Sequence, residues 1–288
     1  MMLDVVIALL PAVLAGALIY GIRALLVVFT CVLTCVVSEY VFNLIVNKEQ
    51  TVFDFSAIIT GLILGLSLHA NAPVWQCVIG SVFAIIVVKC LFGGLGCNFA
   101  NPAATGRVFL LICFSGTLAG GANPVDVTAG ATPLEQLANG GNLPSLLDMF
   151  LGVRGGSIGE SCMIALILGF VYLVVRKIIN FEVPLIMIAT VFVLYLIVGG
   201  DAEAALYQVL GGGLVFGAVF MATDYVTTPI TRVGKMIFAF GCGLITFLVR
   251  MYGSYPEGVS FAILFMNILS PYIEGWTKPR ALGKRGNK

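Results

Sequence analysis

Apolar residues follow one another in long blocks, at about residues 3–20, 24–46, 56–69, 73–91, 101–118, 159–178, 183–199, 203–222, 233–252 and 258–274. A hydrocarbon core roughly 30 Å thick needs about 20 apolar helical residues per crossing, so each block predicts a membrane helix. Polar and apolar residues do not alternate within the blocks, which excludes the strands of a transmembrane barrel. The expected fold is therefore all-α and polytopic, with about ten transmembrane helices. The third and fifth blocks are short and hold Gly, Pro or Asn; interrupted spans of this kind line a site rather than face lipid.

Composition agrees. Of 288 residues, 60% are hydrophobic and 10% charged, against about 25% charged in soluble domains. The net charge of +1 supplies no basic field for nucleic acid. Residues 3–20 lack a basic leader and read as a first span, not a cleaved signal. Most of the eight cysteines lie within apolar blocks, where a thiol packs as a small hydrophobe; Cys31 and Cys35 share one helical face in that role. His69 is the only histidine, and no ligand cluster surrounds it in the sequence.

Basic residues set an orientation. With a cytoplasmic N-terminus, eleven of the 15 Lys and Arg residues face the cytoplasm, Arg23, Arg154 and Arg250 face outward, and Arg107 lies within the fifth span. The C-terminus is then cytoplasmic and the loop 119–158 extracytoplasmic. Gly61-Leu-Ile-Leu-Gly65 echoes Gly213-Leu-Val-Phe-Gly217, and Phe99-x-Asn101 echoes Phe265-x-Asn267. Five spans per half, an odd number, would make such a repeat inverted. The expected organisation is a first half 1–118, the outer loop 119–158, a second half 159–277 and a basic tail 278–288; chance matching in Gly- and Leu-rich sequence is the alternative.

The outer loop contains Asp126-Val-Thr-Ala-Gly-Ala-Thr132-Pro133-Leu134-Glu135. Read locally, Thr132 is an N-cap, Pro133 the first helical residue and Glu135 the partner that completes a capping box. The same residues resemble the flavinylation motif Asp-x-x-[Ser/Thr]-Gly-Ala-Thr, with Asp126, Gly130, Ala131 and Thr132 matching and Ala129 standing where Ser or Thr is usual. The two readings are compatible, because a phosphate at a helix N-terminus meets free N–H groups and the positive end of the dipole.

Two further stretches, Phe92-Gly-Gly-Leu-Gly-Cys-Asn-Phe-Ala-Asn-Pro-Ala-Ala-Thr-Gly-Arg107 and Phe220-Met-Ala-Thr-Asp-Tyr-Val-Thr-Thr-Pro229, extend the likeness. So do the opening Met2-Leu-Asp-Val-Val-Ile-Ala-Leu-Leu-Pro11 and Tyr255-Pro-Glu-Gly-Val-Ser-Phe261. Together they resemble the family that joins the D-type membrane component of Rnf complexes (RnfD) to the B-type component of sodium-pumping NADH:quinone reductases (NqrB), and Thr-Pro-Leu after the motif favours the RnfD branch. Family members usually carry a polar segment before this opening, which is not in this sequence.

The resemblance implies a membrane flavoprotein subunit of an ion-translocating ferredoxin:NAD+ oxidoreductase in a bacterial cytoplasmic membrane. It implies FMN joined through its phosphate to Thr132 by a flavin transferase, and a noncovalent flavin, riboflavin, among the spans, with Asn101 and Arg107 as candidate contacts. A turn that enters a helix at Asn101-Pro102 is the competing reading of that stretch. Partners would be Rnf components of A, B, C, E and G type, membrane lipid, and Na+ or H+. The chain itself shows no phosphate-binding loop or iron–sulfur cysteine spacing, so NAD and clusters belong to partners. Ionisable groups within spans are costly, which makes Glu39 and Asp224 candidates for an ion path; Glu39 is expected near the inner helix end, within reach of water. A urea- or ammonium-type channel is the alternative function, because two inverted halves would also suit a pore.

Overall fold

The computed structural model describes residues 1–118, 121–122, 129–130, 132–138, 143–152, 154–253 and 257–278. Five helices are long and apolar enough to cross a membrane: α1 (Met2–Tyr20), α2 (Ile22–Ile45), α10 (Glu182–Gly199), α13 (Arg232–Tyr252) and α14 (Val259–Thr277). Shorter apolar helices are α3 (Ser56–Ser67), α4 (Val74–Cys90), α5 (Pro102–Cys113) and α9 (Met163–Val175). The remaining pair, α11 (Ala202–Leu210) and α12 (Leu214–Met221), meets at a bend of 58°. These are the ten apolar segments read from the sequence, and the chain is a multi-pass membrane protein.

Two segments depart from the sequence reading. The eighth block, expected as one helix over 203–222, is broken at Gly211-Gly212-Gly213, where Gly212 and Gly213 adopt φ values of 62° and 64°. A side chain is strained in that left-handed region, and a Cβ on Gly212 would come within 2.3 Å of Leu134 Cδ1. The fifth block ends at Cys113 rather than 118, because Phe114 leaves helical geometry before the short α6 (Ser115–Leu118). At about 1.5 Å per residue, the 12 residues of α3 and of α5 rise roughly 18 Å, less than a full crossing.

Packing explains the small residues of α3. A Cβ on Gly61 would meet the Val32 main chain at 2.5 Å, so α3 and α2 approach until their backbones nearly touch. Two helices carry others: α2 packs on α3 and α4, and α10 packs on α11 and α13. Helices α1 and α9 pack together, as do α5 and α14. The threading is antiparallel, since Asp4 at the start of α1 pairs with Arg176 just after α9 (3.0 Å). At the other end, Tyr20 donates to the Arg154 carbonyl (3.1 Å) and accepts from Ser161 (2.7 Å).

The loop between the halves supplies the exceptions to an all-helical description. Strands β1 (Gly121–Ala122) and β2 (Ala129–Gly130) pair antiparallel, with Gly121 opposite Gly130, and Ala122 also bridges to Gly156. Helices α7 (Pro133–Ala138) and α8 (Leu146–Leu151) follow.

Candidate functional site

At the head of α7, Thr132 forms the expected capping box. Glu135 N–H donates to Thr132 Oγ1 (3.3 Å), and Thr132 N–H donates to Glu135 Oε2 (2.9 Å). Thr132 is only 3% exposed. Leu134 explains the burial: its side chain lies against Gly211 and Gly212, where the absence of Cβ atoms leaves room for it. The hydroxyl is thus held on a short helix docked over the break between α11 and α12. Gly130 lies on β2, while Asp126 and Ala131 lie outside the described residues.

On the opposite side, Asn101 caps α5. Its Oδ1 accepts from Ala103 N–H (3.0 Å) and Ala104 N–H (3.2 Å), its Nδ2 donates to the Met221 carbonyl at the end of α12 (3.3 Å), and Pro102 opens the helix. Its own N–H donates to the Asn267 Oδ1 (3.0 Å), and Asn267 Nδ2 donates to the Thr227 carbonyl (3.2 Å), with that amide oriented to suit both neighbours. The two asparagines that echo each other in sequence therefore touch. The helix-entry reading of Asn101-Pro102 describes the local geometry.

A cavity of about 130 Å³ opens beside this cap, lined by Ser56, Thr60, Lys89, Asn98, Asn101, Asp224 and apolar residues of α1, α3, α9 and α12. A few polar groups on apolar walls are the lining of a small-molecule site. Asn98 Oδ1 is buried and finds no hydrogen-bond partner among the described residues. Asp224 sits in the turn after α12, accepting from Val226 N–H (3.3 Å) and Thr227 Oγ1 (3.1 Å).

Arg107 occupies a different place. The sequence reading groups it with Asn101 as a contact of one flavin, but the structure puts it in a separate, small chamber of about 20 Å³ with Leu66, Ser67, Ser157, Glu160, Glu257 and the α12 N-terminus. Two turns along α5 carry the side chain away from the Asn101 cavity. Its Nη2 pairs with Glu257 Oε2 (2.8 Å).

Glu39 is not near water either. It is 2% exposed and bound by Lys89 Nζ at 2.8 and 2.9 Å. Thr51 donates to its Oε1 (2.7 Å), and Lys89 also donates to Ser56 Oγ (2.6 Å). The cause is a neighbour that the sequence reading assigns to the cytoplasmic charges: Lys89 turns inward from α4 and neutralises the carboxylate. Sequence reasoning also passes over Glu160 and Glu257. Ser157-Ile-Gly-Glu160 is a second capping-box spacing that could have marked the first of them.

The chain is 45% identical to the D-type component of the Na(+)-translocating ferredoxin:NAD(+) oxidoreductase complex of Acetobacterium woodii, over 98% of this chain and 90% of that protein. It is 41% identical to the D-type component of the proton-translocating ferredoxin:NAD(+) oxidoreductase complex of Clostridium ljungdahlii, over 99% and 91% of the two chains. With the D-type component of the ion-translocating oxidoreductase complex of Stutzerimonas stutzeri the identity is 37%, over 98% and 91%. A model of the NQR2, RnfD, RnfE family matches residues 1–283, so the likeness carried by Thr132 and the two Asn- and Asp-bearing turns runs through the whole described fold. By that match, and by relatives of this identity and coverage, the chain belongs to the NQR2, RnfD, RnfE family.

Proposed function

We propose that the chain is the membrane flavoprotein subunit of an ion-translocating ferredoxin:NAD+ oxidoreductase, with FMN esterified through its phosphate to Thr132. The observation that carries this reading is Thr132 itself, a helix-capping hydroxyl at the end of the motif running from Asp126 through Gly130 and Ala131. A threonine in that place fits a phosphodiester. Its Oγ1 is already directed at the α7 N-terminus, and the two residues before it in sequence, Gly130 and Ala131, are small. When bound, the flavin supplies electron transfer, and the chain's own residues hold it in place.

Burial of Thr132 adds an order of events. The flavin transferase reaches the hydroxyl while α7 is undocked from the α11–α12 break, and Leu134 packs afterwards. We assign a noncovalent flavin, riboflavin, to the cavity beside Asn101, a reading supported by unpartnered Asn98 Oδ1 and the Asp224 turn as polar contacts at its wall. Asn101 then holds the wall through its cap, and Arg107 serves the separate outer chamber. The relatives are named for different ions, Na(+) and protons, so the coupling ion of this chain is Na+ or H+. Asp224, on the wall of the same cavity, and Glu39, paired with a lysine that also lines it, are its inner-side candidates.

The halves 1–118 and 159–277 are inverted copies in this reading, supported by the pairing of α1 with α9 and of α5 with α14. The chain sits in a bacterial cytoplasmic membrane with its C-terminus inside and Thr132 outside, supported by the distribution of Lys and Arg. Its partners are the A, B, C, E and G type components.

Denaturing gel electrophoresis under ultraviolet light tests the attachment. Wild-type chain expressed with its flavin transferase should carry co-migrating flavin fluorescence, and Thr132→Ala should lose it. Fluorescence that survives Thr132→Ala would move the flavin elsewhere, and a wild-type chain without fluorescence would favour a solute channel.

A further inference from the structure

A cavity of about 240 Å³ opens among helix ends, at the same end of the bundle as the Asp4–Arg176 pair. Its polar lining comes from the α9–α10 turn (Lys177, Asn180), the turn after α12 (Thr223, Tyr225, Thr228) and the first turn of α13 (Lys235), and it includes no carboxylate. The acidic residues nearby are already committed. Asp4 pairs with Arg176 (3.0 Å) and the N-terminal ammonium (2.9 Å), and Glu182 gives both oxygens to Arg232. Asp224 accepts from Val226 N–H and Thr227 Oγ1 within its own turn. Lys235 is close enough to feel the charge on Glu182, yet neither it nor Lys177 has an ion pair or side-chain hydrogen bond among the described residues.

The backbone has the same sign. Helix α9 ends in a Schellman turn, in which Lys177 N–H donates to the Val174 carbonyl and Ile178 N–H to the Leu173 carbonyl (2.9 Å each), so part of its negative end is taken up. Lys177 stands at the left-handed position of that turn (φ 55°), where glycine is the usual residue. Helix α10 begins beside it with no side-chain cap, and Val183 of its first turn lines the cavity, which brings the positive end of an 18-residue helix to the same space. The hydroxyls of Thr223 and Thr228 donate to the Val219 and Asp224 carbonyls (2.6 Å each). The donors left without a partner among the described residues are two ammonium groups, the Asn180 amide and the Tyr225 hydroxyl. Such a set selects an anion with several oxygen atoms. Val175, Phe181 and Ile230, each within two residues of the lining, are exposed and apolar, so the cavity lies where lipid-facing surface gives way to polar helix ends.

We propose that this cavity binds one phosphate group, held by Lys177 and Lys235 with Asn180 and Tyr225 as further donors. An anionic phospholipid headgroup and a soluble phosphate share that chemistry; the exposed apolar residues around the opening favour the lipid, whose acyl chains would lie along them. The site goes beyond the flavin and ion-transport readings and rests on neither. It shares the Thr223 and Tyr225 wall with the cavity beside Asn101, but Lys177 and Lys235 line only this one, so their substitution separates the two.

The test uses the purified full chain in detergent, delipidated until no phospholipid copurifies, with thermal unfolding followed through intrinsic fluorescence at constant ionic strength. Wild-type protein should show a saturable rise in midpoint with dioleoyl phosphatidylglycerol and none with dioleoyl phosphatidylcholine, as a ligand that binds only the folded state requires. Lys177→Gly, which suits the left-handed turn and should fold normally, and Lys235→Gln should each weaken the apparent affinity about fivefold, and the double variant should lose the rise. Lys48→Gln, which removes an exposed basic residue elsewhere, should keep it. A parallel titration of sodium phosphate against sodium chloride distinguishes the sources. A response to the lipid alone assigns a headgroup, and a response to inorganic phosphate that the lysine variants weaken assigns a soluble phosphate; either supports the site. No response to either probe, equal responses to the two lipids, or a response equal in wild type and both lysine variants would overturn the proposal.

Discussion

Two buried ionic groups, one in each region of the molecule, are built on opposite plans. Around Glu39 and Lys89 every contact is closed: the lysine reaches both carboxylate oxygens and a serine, and Thr51 takes up a further position on Glu39. Around Arg107, Glu257 and Glu160 one carboxylate oxygen and one guanidinium nitrogen find no partner among the described residues. A closed pair offsets its own desolvation and ties α2 to α4, so it holds helices together while Lys89 also borders a cavity. An open pair keeps hydrogen-bonding capacity. Both satisfy the rule that charge within a membrane protein faces a partner or a pathway, but only the second leaves polar atoms of its own unpaired.

The largest expected effect breaks the closed pair. Lys89→Ala leaves Glu39 as an uncompensated buried charge and should cost about 3–5 kcal/mol of stability, while joint replacement of both residues by apolar side chains of similar volume should recover most of it. Thermal or denaturant unfolding in detergent reads both; equal destabilisation by the single and double variants would contradict the closed-pair reading. Next comes the surface that carries this pair. Gly61→Ala drives a methyl into the Val32 backbone and should cost about 1–3 kcal/mol, with cysteine cross-linking between α2 and α3 reporting the displacement.

Smaller still is the cap at the inner cavity. Asn101→Ala removes the α5 N-cap and should cost about 1 kcal/mol, whereas Asn101→Asp keeps the acceptor and should cost less. The reverse order would mean that the Nδ2 bond to Met221, not the cap, is what matters. At the bottom of the scale is Arg232, which bridges Glu182 at the exposed ends of α10 and α13. Solvent screens that pair, so Arg232→Ala should leave the unfolding midpoint unchanged, and a clear loss would show that exposure is a poor guide to the strength of an ionic contact in this fold.

Much of this architecture is legible in the sequence because lipid imposes a long apolar run on every crossing. The ten segments follow from that rule, and the caps at Asn101-Pro102 and Thr132-Pro133 follow from local residue chemistry. The break at Gly211-Gly212-Gly213 escapes because hydropathy averaged over a span does not register three consecutive glycines as a bend. Partnerships escape for a different reason: Glu39 and Lys89 lie 50 residues apart and Arg107 and Glu257 lie 150 apart, and only packing decides that they meet. Lys89 misleads on both counts, since an apparently cytoplasmic charge proves to be an internal one. Glu160 is passed over because a glutamate at the very start of the block 159–178 reads as a helix-end charge until the turn that carries it is seen to stack on the end of α3.

The contact of Leu134 with Gly211 and Gly212 has an electrostatic consequence. Leu134 is two residues beyond Thr132, at most about 7 Å along the chain, and Gly212 lines the chamber beside Arg107. A unit charge acquired about 10 Å from that chamber would shift the energy of a charge inside it by roughly 1.7 kcal/mol at an effective dielectric constant of about 20. That is more than a tenfold change in an equilibrium constant, obtained without moving a helix. The small side chains at the helix break therefore do more than permit a bend: by letting α7 sit close, they set the distance over which charge near Thr132 is felt by the buried ionic residues.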